Sequence, residues 1–204
     1  MFAVTSILVE TDQALSPDLL QRAQSGDADA FCEYCRPHEA RLFRQAMSLC
    51  GDHALAEDLA QDTLVEAWRC VRRYNGRCRF FTWLCAILLN RYRNVRREKR
   101  PVPLSRLAAI EHERAHDAIE QVTDAALQPD HAAQQIERDA LLRRCIQQLS
   151  PKHREVIHLR FFVDDSLEGI AAALNCSVGT VKSRLFHALE RLRAIHVSQN
   201  ESEL

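Results

Sequence analysis

Helix breakers are scarce in this chain. Its 204 residues include five glycines and six prolines, well under the roughly 12% that the two contribute to an average protein. So few breakers argue against a sandwich, a barrel or any fold of many turns. Aromatic residues are also few, at 6%. No run approaches the ~18 apolar residues a membrane-spanning helix needs; the most membrane-like stretch, Phe80 to Asn90, is too short. The amino-terminal MFAVTSILVE has no basic n-region and no convincing cleavage site, so no secretory signal is read. There is no P-loop, no dinucleotide-binding glycine fingerprint, no HExxH and no nucleophile elbow. The Asp and Glu pairs fall on a helix face rather than in a cleft. Apolar residues reach 47%, enough for a packed core and too many for general disorder. The expectation is a cytosolic, all-α protein that is not an enzyme, carries no cofactor and touches no membrane.

What the chain does have is charge in blocks. The net charge of −1 conceals them. Residues 1–66 hold four basic and 12 acidic side chains, whereas residues 69–100 hold 11 basic and one acidic. Residues 101–136 turn acidic again, with two basic and six acidic, and residues 137–204 are near balance with ten and nine. A basic block of that size is the electrostatic footprint of a polyanion partner. A solvated helix face is the bland alternative. The block also holds Tyr74, Phe80, Phe81, Trp83 and Tyr92. Arginines that hold phosphates, interleaved with rings that stack on bases, suit single-stranded nucleic acid.

Punctuation divides the chain. Ser16-Pro17 and Ser150-Pro151 are N-cap and N1 pairs, Ser25-Gly26-Asp27 breaks the first helix, and Gly51-Asp52 ends a second helix, from about Asp29 to Cys50, and caps the next. Asn75-Gly76 lacks flanking alternating strands and reads as a loop between helices rather than a hairpin. A long helix is predicted from about Phe80 to Lys99, ended by Pro101 and Pro103. Three segments result: a helical domain over 16–100, an acidic linker over 101–136 that need hold no fixed structure, and a second helical domain over 137–196.

The second domain carries a helix-turn-helix pattern. Ser166 to Leu174 form a short helix, Asn175 stands where the turn needs a positive φ, and Ser177 can cap the next helix. On that helix Val178, Val181, Leu185, Ala188, Leu189, Leu192 and Ile195 form one stripe at the 3.6 period. Thr180, Ser183, Arg184, His187 and Arg191 take the opposite face, with Lys182 at its flank. Such a helix can lock to its partner by one side and enter the major groove with the other. Any amphipathic surface helix shows the same stripe; the turn, the cap and the basic face tilt the reading to DNA. Gly169, inside the first of the two helices, is off-pattern and costs about 1 kcal/mol relative to Ala.

Two faces of the first domain stand out. At 100° per residue, Trp83, Asn90, Arg93, Asn94 and Arg97 share one side of the long helix, opposite Phe81, Leu84, Leu88, Tyr92 and Val95. Trp beside Asn amides and Arg can stack on a base and bond base edges, although a core Trp with exposed Asn residues would give the same pattern. In the preceding helix Leu55, Ala56, Leu59, Ala60, Thr63 and Ala67 point inward, leaving Glu57, Asp58, Gln61, Asp62, Val65 and Trp68 outside. An acidic face that includes a Val and a Trp suits a protein partner presenting arginines; a solvated face with Trp68 folded inward is the alternative.

Eight cysteines are many for a cytosolic protein. Cys32-x-x-Cys35-x-x-His38 could form half a metal site or a redox pair, but no second CxxC completes it, and free Cys often packs as a small apolar residue. No metal is expected.

The segments AEDLAQDTLVEAW (Ala56 to Trp68), FFTWLCAILLNRYRN (Phe80 to Asn94), LSPKHREVIHLRFF (Leu149 to Phe162) and CSVGTVKSRLFHALERLR (Cys176 to Arg193) resemble, in order, regions 2.2, 2.3–2.4, 4.1 and 4.2 of bacterial sigma factors. The set is similar to the extracytoplasmic-function members of the sigma-70 family. The resemblance implies a subunit that binds core RNA polymerase and directs promoter recognition, with no catalytic residues of its own. A stand-alone helix-turn-helix regulator is the alternative. Asp58, Gln61, Asp62, Val65 and Trp68 sit where such proteins bind the polymerase β′ clamp. The loop with Arg77 and Arg79, and Phe80, Phe81, Trp83, Asn90, Arg93, Asn94 and Arg97 after it, sit where the family melts and reads the −10 element. Ser177, Thr180, Lys182, Ser183, Arg184 and His187 sit where it reads the −35 duplex. The resemblance also implies contact with the β flap and an anti-sigma partner. Asn175 replaces a common glycine, Gly169 stands where an acidic residue is common, and Arg77 and Arg79 flank Cys78 in the base-capturing loop.

Overall fold

The computed structural model describes residues 17–98, 141–142 and 144–200. The expected linker, the amino-terminal segment and the Ser16 cap lie outside the described residues. In chain order the helices are α1 (Pro17–Ser25), α2 (Ala28–Cys50), α3 (His53–Cys70), α4 (Phe80–Glu98), α5 (Pro151–Ile157), α6 (Leu167–Ala173) and α7 (Val178–Asn200). A 3-10 turn (Val71–Arg73) follows α3, and α5 widens into a π turn (His158–Phe162). Among the described residues there is no strand.

Local chemistry sets the breaks. Gly51 takes φ +70°, the left-handed conformation that glycine adopts without a Cβ penalty, and its N–H bonds the Met47 carbonyl at 2.9 Å to close α2. The Asp52 carboxylate then accepts from Leu55 N at 2.9 Å and opens α3. Asp27 does the same for α2 through Ala30 N at 3.0 Å, and Ser150 caps α5 through His153 N at 3.4 Å. Asp52→Ala removes one of these caps and is expected to lower the unfolding free energy by about 1 kcal/mol, read from a urea titration.

α2, α3 and α4 pack around Leu42, Leu59, Phe81, Leu84 and Leu88, all essentially inaccessible. The same continuous core takes in Leu159, Val163, Ile170 and Val181 from the second half of the chain. α4 is the shared wall, packed against α2 and α3 on one side and against α5, the π turn and α6 on the other. A smaller cluster of Leu149, Ile157 and Ala188 ties α5 to α7.

Along α7 the expected stripe is mostly inward, with Val181, Ala188 and Ile195 buried. Leu189 is a correction, being exposed. It lies at the edge of the stripe opposite buried Ile195, about 60° from the centre at 100° per residue.

Candidate nucleic-acid interface

The outer face of α3 follows from its inner one. Ala56, Leu59, Ala60, Thr63 and Ala67 are buried, and Thr63 settles its hydroxyl by donating to the Leu59 carbonyl at 2.6 Å. Asp58, Gln61 and Asp62 are therefore turned to solvent, and Val65 is 50% exposed. Two members of this face are partly engaged. Asp62 accepts from Arg91 of α4 at 2.6 Å, and Trp68 leans its ring on Phe31, centroids 5.2 Å apart.

The loop from 74 to 79 joins the 3-10 turn to α4. Asn75 Oδ1 accepts from Arg77 N at 3.1 Å, and the Tyr74 hydroxyl donates to the Cys78 carbonyl at 2.7 Å. Arg77 is left exposed. Arg79 instead reaches across to the second half of the chain. It donates to the Val163 carbonyl at 3.3 Å and to the Asp164 carbonyl, and its Nε lies 3.4 Å from the Asp165 carboxylate.

On α4 the expected face divides. Asn90 and Arg97 are exposed, and Arg93 and Asn94 are half-buried. Trp83 is also half-buried, its ring 5.2 Å from Tyr74 and 5.5 Å from Phe80. Phe80 and Phe81 are corrections: both are core residues. Phe80 meets Tyr34 edge-on at 4.7 Å. Phe81 lies beneath His38 and the Arg41 guanidinium, the latter 3.9 Å from its centroid. Two adjacent aromatics at the start of a helix that meets α2 are both drawn into the apolar interior.

The helix-turn-helix forms as expected. Asn175 has φ +49°, and Ser177 Oγ accepts from Thr180 N at 3.1 Å while bonding the Thr180 hydroxyl at 2.9 Å. Lys182, Ser183 and His187 are exposed and Arg184 is half-buried. His187 stands beside Phe186, which is 62% exposed.

The contact between the two halves was not legible beforehand. Glu155 of α5 accepts from Arg93 at 2.8 Å. Burial pushes the Glu155 carboxyl up, and the Arg93 charge pulls it partly back. Arg154 donates to the carbonyls of Ile146, Gln147 and Leu149; burial first, then Arg96, lowers its pKa. A cleft of about 470 Å³ between α4 and α5 is lined by Arg93, Arg96, Arg97 and Arg154. Four further residues, Arg41, Gln45, Thr82 and Asp165, complete the contact.

Cys32, Cys35 and His38 do not form one ligand set. Cys32 is exposed while Cys35 and His38 are buried. Burial first, then Cys32 and Glu39, pushes the Cys35 thiol up to about 12, which leaves it protonated and a poor ligand or nucleophile near neutral pH. Among the described residues no group of three His, Cys, Asp or Glu could hold a metal ion. None of their helices is long and apolar enough to cross a membrane.

Residues 35–101 match the family model for Sigma-70 region 2, and residues 145–194 that for Sigma-70, region 4. The RNA polymerase sigma-H factor of Pseudomonas aeruginosa is 32% identical over 184 residues, 88% of this chain and 93% of that protein. The ECF RNA polymerase sigma-E factor of Escherichia coli K12 is 31% identical over 190 residues, 89% and 94% of the two chains. Among solved structures, the sigma factor RpoE in complex with the anti-sigma factor NepR from Bartonella quintana aligns with TM-score 0.56 at 31% identity, over 82% of this chain and 96% of that one. CnrH in complex with the cytosolic domain of CnrY aligns with TM-score 0.58 at 26% identity, over 89% and 96%.

Proposed function

This chain belongs to the extracytoplasmic-function branch of the sigma-70 family of RNA polymerase sigma factors, and we propose from that premise how its residues divide the work. A stand-alone regulator is not favoured, because the relatives match along both halves of the chain. Residues 16–100 act as the first domain, 101–136 as the linker and 137–196 as the second. The protein is non-catalytic and works in the cytoplasm, on core polymerase and promoter DNA.

In the first domain, Asp58, Gln61, Asp62, Val65 and Trp68 take the β′ clamp. Exposed carboxylates around a half-exposed Val supply both the charge that selects an arginine-bearing partner and the apolar contact that holds it. Arg77, Arg79, Trp83, Asn90, Arg93, Asn94 and Arg97 take the −10 strand: guanidinium groups for phosphates, amides and the indole for bases. Phe80 packs against Trp83 and helps position it, and Phe81 anchors the start of α4 in the core. In the second domain Lys182, Ser183, Arg184 and His187 read or grip the −35 duplex, and Ser177 and Thr180 set the start of the helix that carries them. An anti-sigma protein is the expected regulatory partner, in keeping with the solved complexes above.

The observation that carries this reading is the open acidic and apolar strip on α3, Asp58, Gln61 and Val65, placed directly before a basic loop and helix. Mixing the protein with sigma-free bacterial core polymerase is expected to give one co-eluting species on a size-exclusion column. Asp58→Arg is expected to weaken that association about tenfold, through like-charge juxtaposition at the rim of the contact. Duplex-DNA binding without co-elution would return the chain to the stand-alone regulator.

A further inference from the structure

The cleft between α4 and α5 holds more positive charge than the chain offsets. Its volume is about 470 Å³, within the roughly 300–1,000 Å³ of small-molecule sites. Arg93, Arg96 and Arg97 line it from α4 and Arg154 from α5, and Glu155 is the one carboxylate in its lining. Arg93 takes that carboxylate at 2.8 Å. Among the described residues, no carboxylate lies within ion-pair distance of Arg96, Arg97 or Arg154. Arg154 turns instead to the carbonyls of Ile146, Gln147 and Leu149 through Nε and Nη2, and Nη1 takes no part in those bonds. Burial, and after it the Arg96 charge, lower the Arg154 pKa, as crowded like charges require.

We infer that this cleft is a binding site for a nucleoside polyphosphate, with the phosphates on Arg96, Arg97 and Arg154 and the base on its apolar floor. The inference goes beyond the promoter reading, which uses Arg93 and Arg97 of these residues and neither Arg96 nor Arg154.

Each part of such a ligand has a counterpart. Guanidinium groups meet phosphate oxygens with a planar fork of donors, and three of them around one cleft suit a chain of phosphates better than a single carboxylate. Leu89, Tyr92 and Leu149 form the apolar floor. The Arg96 guanidinium stands 5.8 Å from the centroid of the Tyr92 ring. A cation and an aromatic ring, both surfaces on which bases stack, therefore adjoin. Gln147 and Gln148, on the wall contributed by the second half of the chain, are exposed, and their amides can donate to and accept from base edges. Arg96 and Arg97 are exposed as well, open to a ligand from solvent. Because the walls come from both halves, a bound nucleotide would stabilise the folded chain by mass action.

The test uses the full chain and mant-labelled ATP, without magnesium, followed by fluorescence. The expected result is saturable binding that unlabelled ATP reverses at least about fivefold more effectively than tripolyphosphate, the lower end of what a stacked base contributes. Arg96→Glu is expected to weaken binding about tenfold, and Gln148→Glu, on the other wall, about threefold. Arg44→Glu reverses an exposed charge on α2 outside the cleft and is expected to leave the affinity within about twofold. All three positions are exposed, and far-ultraviolet circular dichroism checks that each variant folds. ATP is also expected to raise the Tm of the wild type more than that of Arg96→Glu. Absence of saturable binding would overturn the inference. So would equal displacement by tripolyphosphate and ATP, which would make the cleft a trap for any anion, or equal weakening by Arg96→Glu and Arg44→Glu, which would reduce binding to net charge. Loss in Arg96→Glu with Gln148→Glu unaffected would put the nucleotide on α4 alone and defeat the two-walled site. A mixed-sequence single-stranded 15-mer that binds through Arg96 where mant-ATP does not bind would give the cleft to the DNA strand instead. Co-elution with core polymerase has no bearing on these outcomes, since Arg96 and Gln148 belong to none of the surfaces assigned above.

Discussion

Phe81→Ala is expected to lower the unfolding free energy by about 3–5 kcal/mol, the range for removing a large aromatic side chain from a close-packed core. Phe81 is 1% exposed. His38 stacks on it at 5.7 Å, and the Arg41 guanidinium lies 3.9 Å from its centroid. The cavity is therefore walled by a buried imidazole and a cation, neither of which can collapse into it without losing its own contacts. Against a typical total of about 5–15 kcal/mol, the loss takes a large share of the stability. A second effect follows from the same geometry. Arg41 also donates to the Val163 carbonyl, so removing the ring beneath it loosens the seat of the second half. A urea titration followed by far-ultraviolet circular dichroism checks the first effect, and a lowered cooperativity of the transition would report the second. A change below about 1 kcal/mol would contradict the packing described.

Acid is expected to destabilise the fold through His158. Its imidazole is buried in the π turn, stacked on Phe162 at 5.2 Å, and Nε2 has no hydrogen-bond partner. Burial alone lowers its pKa from 6.5 to about 4. The sign follows from proton counting. Between those two values the unfolded chain holds a proton at this site and the folded chain does not, so stability falls as the pH drops from about 6.5 and levels off below about 4. The gap corresponds to about 3 kcal/mol at its limit. Glu155 works the other way: its raised carboxyl takes a proton earlier in the folded state and offsets part of the loss. His158→Phe keeps a flat ring for Phe162 to stack on and removes the titration. Urea midpoints at pH 7.5, 6 and 5 are expected to diverge between the two proteins, with the variant flatter. Parallel profiles would rule out His158 as the acid-sensitive group.

Local features were legible in the sequence because they depend on neighbours a few residues away. Asp52, Ser150 and Ser177 cap the helices they precede, Asn175 takes the left-handed conformation, and α3 turns in the face its spacing assigns. Features set by distant contacts were not. Phe80 and Phe81 carry the same aromatic signal whether they stack on bases or fill the space beside Tyr34 and Arg41, and only the approach of α2 decides. Trp68 and Trp83 ended between the two alternatives, half-buried, because Phe31 and Tyr74 each cover one side of an indole. Asp165 and Glu155 gave no signal, since a carboxylate in or beside a short helix looks the same whether it meets water or an arginine more than sixty residues away. Gly169 was visible as an oddity but pointed to no partner.

The bonds that join the two halves also fix an order in time. Thr82 and Asp165 are 83 residues apart in sequence, and a ribosome adding about 5–20 residues per second needs roughly 4–17 s to make that stretch. α1 to α4 are therefore synthesised while Arg79, Thr82 and Arg93 still lack the oxygens they later hold. Each newly made chain passes through an interval in which its basic wall faces the anionic surroundings of translation, and completion of the carboxy-terminal half ends it.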